Sequence, residues 1–264
     1  MVESLVQSVQ ANRKYARITP VLVSRLCRDA IAKNLQGKAA VKEVRNKLHQ
    51  VGGAYFTHPV DFTKSIGTLE QLPLDLHSPE VMRFCSEQMR GHASTNERLP
   101  FLEEFFQTCL EPIKPVESIL DLACGMNPLS VPWMPLKEDF SYRACDIYLD
   151  MLDFITAFFT HFNIDGYAFP CDLVSGPPRE TAQVAFLLKT IPCLEQVDKQ
   201  IGAALLTRIK ADHILVSFPA KSLGGRDKGM PEFYRTHFLD LIKDQTWQVR
   251  EFSFPTETAF LISK

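Results

Sequence analysis

Ser118-Ile119-Leu120-Asp121-Leu122-Ala123-Cys124-Gly125-Met126-Asn127-Pro128 decides the fold. It reads as a buried strand that stops in a turn of small residues. A second acid, Asp146, follows at the end of another strand-like run. Open α/β sheets hold a nucleoside in this way: a strand feeds a tight glycine turn, and an acid stands at the next strand end. Gly125 lets the backbone approach a ligand closely because it has no side chain. The Asp146 carboxylate can accept from two ribose hydroxyls. The pattern is not G-x-G-x-x-G, since only Gly125 remains and Pro128 follows. It lacks the glycines that admit a pyrophosphate at a helix N-terminus. It suits a ligand with a nucleoside and no phosphates, of which S-adenosylmethionine (SAM) is the commonest. An ordinary buried strand with a capping Asp fits these residues alone almost as well.

Outward from this stretch the pattern alternates. Strands are predicted near 117–122, 141–146, 167–171, 183–188 and 213–218, with helices near 148–163, 194–210 and 231–243. Two β-rich runs, 247–254 and 257–263, flank Pro255-Thr256 and predict a terminal hairpin. Strand–helix alternation means a mainly parallel sheet covered on both faces. The expected fold is α/β: the Rossmann-like seven-stranded sheet with terminal hairpin of SAM-dependent methyltransferases, preceded by a small helical domain. In that leading part Thr19-Pro20 starts a helix, as an N-cap with Pro at the first position. Val41, Val44 and Leu48 continue the helical spacing over 40–50, and Gly52-Gly53 ends it. Residues 61–91 read as helical, with breaks at Pro73 and Pro79. Ser94 or Thr95 can cap a helix beginning near Asn96. The expected domains are therefore 1–90, helical and basic, and 91–264, catalytic.

The 264 residues suffice for one large domain plus a small appendage. Apolar and charged fractions of 45% and 23% are those of a soluble globular protein. No apolar run is long enough for a membrane span, and the N-terminus lacks a signal-peptide pattern. Seven scattered cysteines without a C-x-x-C pair argue for a reducing cytoplasm, and against a disulfide framework or structural zinc. No metal site is expected.

Charge is divided unevenly. Residues 1–60 hold ten Lys/Arg against three acids, hence +7, and the overall −2 leaves −9 for the rest. A basic arm on an acidic body suits a polyanion such as nucleic acid, and also suits a merely solvated helical surface.

Four segments can carry chemistry. In His92-Ala93-Ser94-Thr95-Asn96-Glu97-Arg98, Arg98 can pair two-pronged with a free α-carboxylate. A capping box with a surface Arg reads the same. The second segment is the Asp121–Pro128 turn with Asp146. The third is Cys171-Asp172-Leu173 at a strand end. In a methyltransferase sheet Asp172 there accepts from the adenine amine and Leu173 offers a backbone N–H. The fourth pairs Leu188–Glu195 with Ser217–Met230. Lys189 stands at a strand end, where a charge ordinarily reaches for water. Lys221, Arg226 and Lys228 surround Gly224-Gly225 in a loop suited to phosphate contacts and flipped-base capture.

Together these segments resemble the aminoglycoside-resistance 16S ribosomal RNA methyltransferases of the guanine-N7 class. The resemblance runs from Leu48-His49-Gln50 and Gly53-Ala54-Tyr55, through His92–Arg98 and Asp121–Leu129, to Leu188–Glu195 and Phe218–Met230. Where some members carry Gln two places after the motif's Glu, this chain has Val197, with Gln196 beside it. The resemblance implies SAM contacts from Tyr55, the His92–Arg98 segment, Ala123, Gly125, Asp146, Asp172, Leu173 and Leu188. It implies a target base near Lys189, Ser217 and Arg226, with Lys221 and Lys228 beside it. It implies a monomer that docks its helical domain on 16S rRNA in the 30S subunit and methylates guanine N7 in the decoding A site. That blocks 4,6-disubstituted deoxystreptamines such as gentamicin and kanamycin. Removing residues 1–60 is then expected to abolish methylation of 30S while leaving SAM binding largely intact.

Guanine N7 has an in-plane lone pair, so no general base is needed and no catalytic acid or base is expected. The adenine-N1 resistance class is a second reading, but it uses Trp around the base and this chain has only Trp133 and Trp247. Other readings are a SAM-dependent methyltransferase of a small molecule, with no use for a basic arm, and a non-catalytic RNA-binding protein.

Overall fold

The computed structural model describes residues 1–52, 60–220 and 229–264. Three helices open the chain: α1 (Val2–Gln10), α2 (Pro20–Ala32) and α3 (Gly37–Val51). They share their own core of Val9, Leu22, Val23, Leu26, Val44 and Leu48. Pro20 opens α2 because its fixed φ suits the first helical position and its missing N–H would have no partner there anyway.

Four more helices precede the sheet: α4 (Phe62–Leu69), α5 (Pro79–Arg90), α6 (Ala93–Arg98) and α7 (Leu102–Leu110). The expected domain boundary near residue 90 is not where the cores divide. Phe62 stacks on Phe154 at 5.6 Å, and Val81, Phe84 and Met89 join the core on one face of the sheet. Among the described residues the separate helical core runs from Val9 to Leu48, with Ile147 and Tyr148 packed against it. Helical composition alone groups α4 and α5 with the first unit, although α4 packs on the helix Leu149–His161 and α5 on α6 and the turn Asn127–Trp133.

The helix expected from Asn96 begins instead at Ala93. Thr95 Oγ1 does not cap it but donates to the Met89 and His92 carbonyls, at 2.8 and 3.1 Å. Pro100 interrupts it, and a 3-10 turn leads into α7.

The sheet and its helices follow: β1 (Val116–Leu122), β2 (Leu136–Asp146), α8 (Leu149–His161), β3 (Asp165–Pro170), β4 (Thr181–Leu188), α9 (Ile191–Leu194), α10 (Ile201–Arg208), β5 (Lys210–Pro219), α11 (Met230–Leu241), β6 (Gln248–Phe254) and β7 (Glu257–Ser263). Strand order is β3-β2-β1-β4-β5-β7-β6. The first five strands are parallel, and the β6–β7 hairpin adds antiparallel to β5. This is the expected seven-stranded α/β sheet. Both faces are buried: Ile119 and Leu215 point into one core, Leu120, Leu122, Ile214 and Val216 into the other. Strand order reverses between β1 and β4, which opens a crevice at their carboxyl ends.

Candidate active site

The crevice is a cavity at the carboxyl ends of β1, β2, β3 and β4, roofed by α2 and walled by α6. Asp121 and Ala123 reach it from β1, Asp146 from β2, Asp172 and Leu173 from beyond β3, Leu188 and Lys189 from β4. His92, Ser94, Thr95 and Arg98 line it from the α6 segment.

The β1 turn is shaped by two left-handed residues, Ala123 (φ 53°) and Gly125 (φ 50°). A Cβ on Gly125 would lie 2.6 Å from His92 Cε1, so a side chain there would crowd the imidazole as well as strain the backbone. Gly125 N–H donates to Asp146 Oδ2 at 2.9 Å, and Ile147 N–H donates to Oδ1 at 2.6 Å. Asp146 thus fixes the glycine turn as well as facing the cavity. Burial raises its carboxyl above the ordinary range, against the pull of these backbone donors.

Behind the turn lies a buried polar chain. Tyr142 OH and Asn127 Nδ2 donate to Asp121 Oδ2 at 2.7 and 2.9 Å. Burial still pushes Asp121 up to about 6, with those two donors opposing. Arg98 is 0% exposed. Its Nη1 donates to Asn127 Oδ1 at 3.2 Å, and its Nε and Nη2 grip Glu257 at 3.0 and 2.5 Å. Its guanidinium also lies over the Phe105 ring, at 4.5 Å. Burial, then Arg98 and Lys189, lower the His92 imidazole to about 4, so it is neutral near pH 7.

Lys189 is 7% exposed. The strand-end charge turns inward: its Nζ donates to Glu97 Oε2 at 2.7 Å and lies 3.4 Å from Glu257 Oε2. Its backbone is left-handed (φ 58°), and its N–H donates to Ser217 Oγ at 3.0 Å. Ser217 is fully buried and shapes this corner from behind. Burial alone would raise the Glu257 carboxyl, yet Arg98 and Lys189 outweigh it and hold the group below its usual range.

Most of the candidate residues are therefore brought together. Glu97 reaches the site through Lys189, Gly125 through Asp146, and Asn96 points to solvent. Ala93 opens α6, and its side chain is half-buried. Tyr55, Lys221, Arg226 and Lys228 lie outside the described residues. Glu195 of the fourth motif is bound by His237 Nε2 at 2.8 Å, which ties α9 to α11.

Arg25 and Glu257 do not stand out in the sequence, and Asn127 does so only as part of the Asp121–Pro128 turn. Arg25 enters from α2 and binds Asp172. Glu257 was hidden at the start of an apolar β run. A single acid directly before Thr258-Ala259-Phe260-Leu261-Ile262 is the signal that marks it.

The FmrO ribosomal RNA methyltransferase family matches residues 11–262. The chain belongs to that family. Among relatives of this FmrO-family protein, a 16S rRNA (guanine(1405)-N(7))-methyltransferase of Micromonospora rosea is 32% identical, covering 100% of this chain and 97% of the relative. One of the same name from Serratia marcescens is 29% identical, covering 100% and 98%. The crystal structure of 16S rRNA methyltransferase RmtF in complex with S-adenosyl-L-homocysteine superposes with a TM-score of 0.83 at 27% identity, covering 100% and 98%. The FmrO-family chain is a SAM-dependent ribosomal RNA methyltransferase. The cavity brings the bare Gly125 backbone, the Asp146 carboxylate and the Arg98 guanidinium into one site. The same lining carries Asp121, Asp146 and Asp172 beside Arg25, Arg98 and Lys189, with Arg25 bound to Asp172.

Proposed function

We propose that this chain methylates N7 of a guanine in the decoding A site of 16S rRNA. We infer that it acts as a cytoplasmic monomer on the assembled 30S subunit. Among the described residues no helix is long and apolar enough to cross a membrane. The observation that carries the reading is the end-to-end match to relatives named for guanine-N7 transfer, over a chain with a cavity at the carboxyl ends of its central strands.

SAM supplies an electrophilic methyl, which the N7 lone pair takes as the carbon–sulfur electrons return to sulfur. The chain's own residues position the reactants rather than move a proton. Asp146 is held by backbone donors, Asp121 by Asn127 and Tyr142, Asp172 by Arg25 and Glu257 by Arg98. Acids engaged in this way fix geometry, and alignment of reacting atoms is itself a large part of a barrier. Asp146 would take the ribose, Asp172 and Leu173 the adenine, and Arg98 the methionine carboxylate. The product base carries a positive charge and a methyl group where 4,6-disubstituted aminoglycosides bind, which gives resistance to gentamicin and kanamycin.

The test is transfer of labelled methyl from SAM to purified, drug-sensitive 30S subunits, followed by borohydride–aniline cleavage. One cleavage at a decoding-site guanine is expected. Label without cleavage would move the target to adenine N1 or another RNA atom. No label despite SAM binding would turn the reading toward a small-molecule substrate.

A further inference from the structure

Two of the cavity's cations share one carboxylate. Glu257 is fully buried, and it binds Arg98 through both oxygens while lying 3.4 Å from Lys189 Nζ. Antiparallel pairing sets Glu257 opposite Pro219, and so at the carboxyl end of β5, beside the cavity wall. The hairpin thus delivers a residue from a distant part of the chain to the back of the cavity wall, behind Arg98 and Lys189. Such a cluster is a poor way to stabilise a fold, because desolvating charges offsets most of their attraction. Its place at the strand ends, against the donor cavity, points to the reaction instead.

We propose that Glu257 is a positioning residue for methyl transfer, fixing the Arg98 guanidinium toward the donor and the Lys189 ammonium toward the target base. This rests on the reading of the site given above. Arg98 has five N–H groups in a rigid fork. Glu257 takes two and Asn127 one, so the plane of the guanidinium is set, with one N–H left on Nη1 and one on Nη2. Lys189 carries three N–H groups, and Glu97 and Glu257 draw its ammonium from two sides. Charge balance adds to the argument. Transfer moves a positive charge from sulfur to the purine. An uncompensated ammonium at Lys189 would repel that charge as it forms, whereas Glu97 and Glu257 neutralise it.

The test compares wild type with Glu257→Gln, Glu257→Asp, Arg98→Ala and the double variant Glu257→Gln/Arg98→Ala. SAM affinity is read by calorimetry on folded protein, and methylation of 30S at saturating SAM gives the turnover. Glu257→Gln keeps the shape and removes the charge. It is expected to weaken SAM binding about tenfold or more and to slow turnover by a similar factor. Glu257→Asp should recover part of both. The two affinity losses should not add in the double variant, because Glu257 acts on the donor through Arg98. A purely structural role would instead lower the active fraction and leave the affinity of the folded molecules unchanged. That result, or Glu257→Gln with both readouts within about twofold of wild type, overturns the inference. A wild type that binds SAM but leaves 30S unlabelled overturns the substrate reading instead, and the affinity comparison still decides the role of Glu257 at the donor.

Discussion

Arg25 and Asp172 form a two-pronged ion pair between the N-terminal helical unit and the end of β3. Nε donates to Oδ2 at 2.5 Å and Nη2 to Oδ1 at 3.2 Å. The pair stands on the wall of the donor cavity, beside Leu22 of the same helix. The chain is pinned nearby as well: Thr19 N–H donates to the Ile147 carbonyl and Leu149 N–H to the Arg17 carbonyl, at 2.8 Å each. The helical unit is thus part of the cofactor pocket rather than a detached arm.

The first prediction concerns that latch. Arg25→Met keeps the aliphatic stem and removes the two-pronged contact, and Asp172→Asn removes its charge. Each single variant should cost roughly 1–3 kcal/mol of stability in urea titration, with the double variant costing less than the sum. Strict additivity would mean that the ion pair contributes nothing across the boundary.

Arg98→Ala should act twice. It removes the cation expected to hold the donor's carboxylate, so SAM affinity measured on folded protein should fall. It also strips Glu257 of its two-pronged partner. Removing one member of a buried pair costs roughly 3–5 kcal/mol, so the melting temperature should drop by many degrees. Calorimetry showing unchanged SAM affinity would sink the carboxylate assignment, whatever the melting curve does.

Gly125→Ala tests the cradle. The substitution places a Cβ 2.6 Å from the His92 ring and forces a non-glycine residue to φ 50°. Left-handed backbone alone costs an L-residue roughly 1–2 kcal/mol. The clash also displaces the turn whose N–H holds Asp146. SAM affinity should fall by more than the stability loss alone explains, read as binding to the folded fraction.

Acid behaviour follows from two buried groups of opposite sign. His92 is lowered from 6.5 to about 4, so between those values the unfolded chain binds more protons and stability falls on acidification. Asp121 is raised from 3.8 to about 6, so over that window the folded chain binds more protons and stability grows on acidification. Each contribution is on the order of 3 kcal/mol, and between pH 6 and 4 they largely cancel. Asp121→Asn deletes one side of this balance. Its stability should therefore fall more steeply than wild type as pH drops from 6.5 to 4, in parallel thermal melts. Parallel curves would show that Asp121 does not take up its proton in that range.

The sheet was legible because its signals are local. A buried run ending in Ala123-Cys124-Gly125, and a hairpin broken at Pro255-Thr256, each carry their own pattern. The site is legible where a motif is contiguous, at a strand end as with Asp146 and Asp172, or on one short helix as with His92–Arg98. Arg25 and Glu257 escape because their partners lie 147 and 159 residues away, and no spacing rule encodes such pairing. The inward turn of Lys189 is not legible locally for the same reason: the carboxylates that draw it come from α6 and β7. The boundary near residue 90 failed since amphipathic helices look alike whether they cover a sheet or each other.

The latch changes how the basic unit must be tested. Leu22, Arg25, Val51 and Gly52 line the cavity, so deleting the first 60 residues should weaken SAM binding as well as RNA docking. Loss of methylation in such a truncation would not separate the two. Charge reversal on the outer surface does. Arg28, Lys38 and Lys42 are exposed and do not line the cavity. Reversing them to Glu should leave SAM affinity at the wild-type value and weaken binding to 30S. If each meets one phosphate, the slope of log affinity against log salt should become shallower by roughly one per residue changed. An unchanged slope with unchanged methylation would show that this face of the helical unit is only a solvated surface.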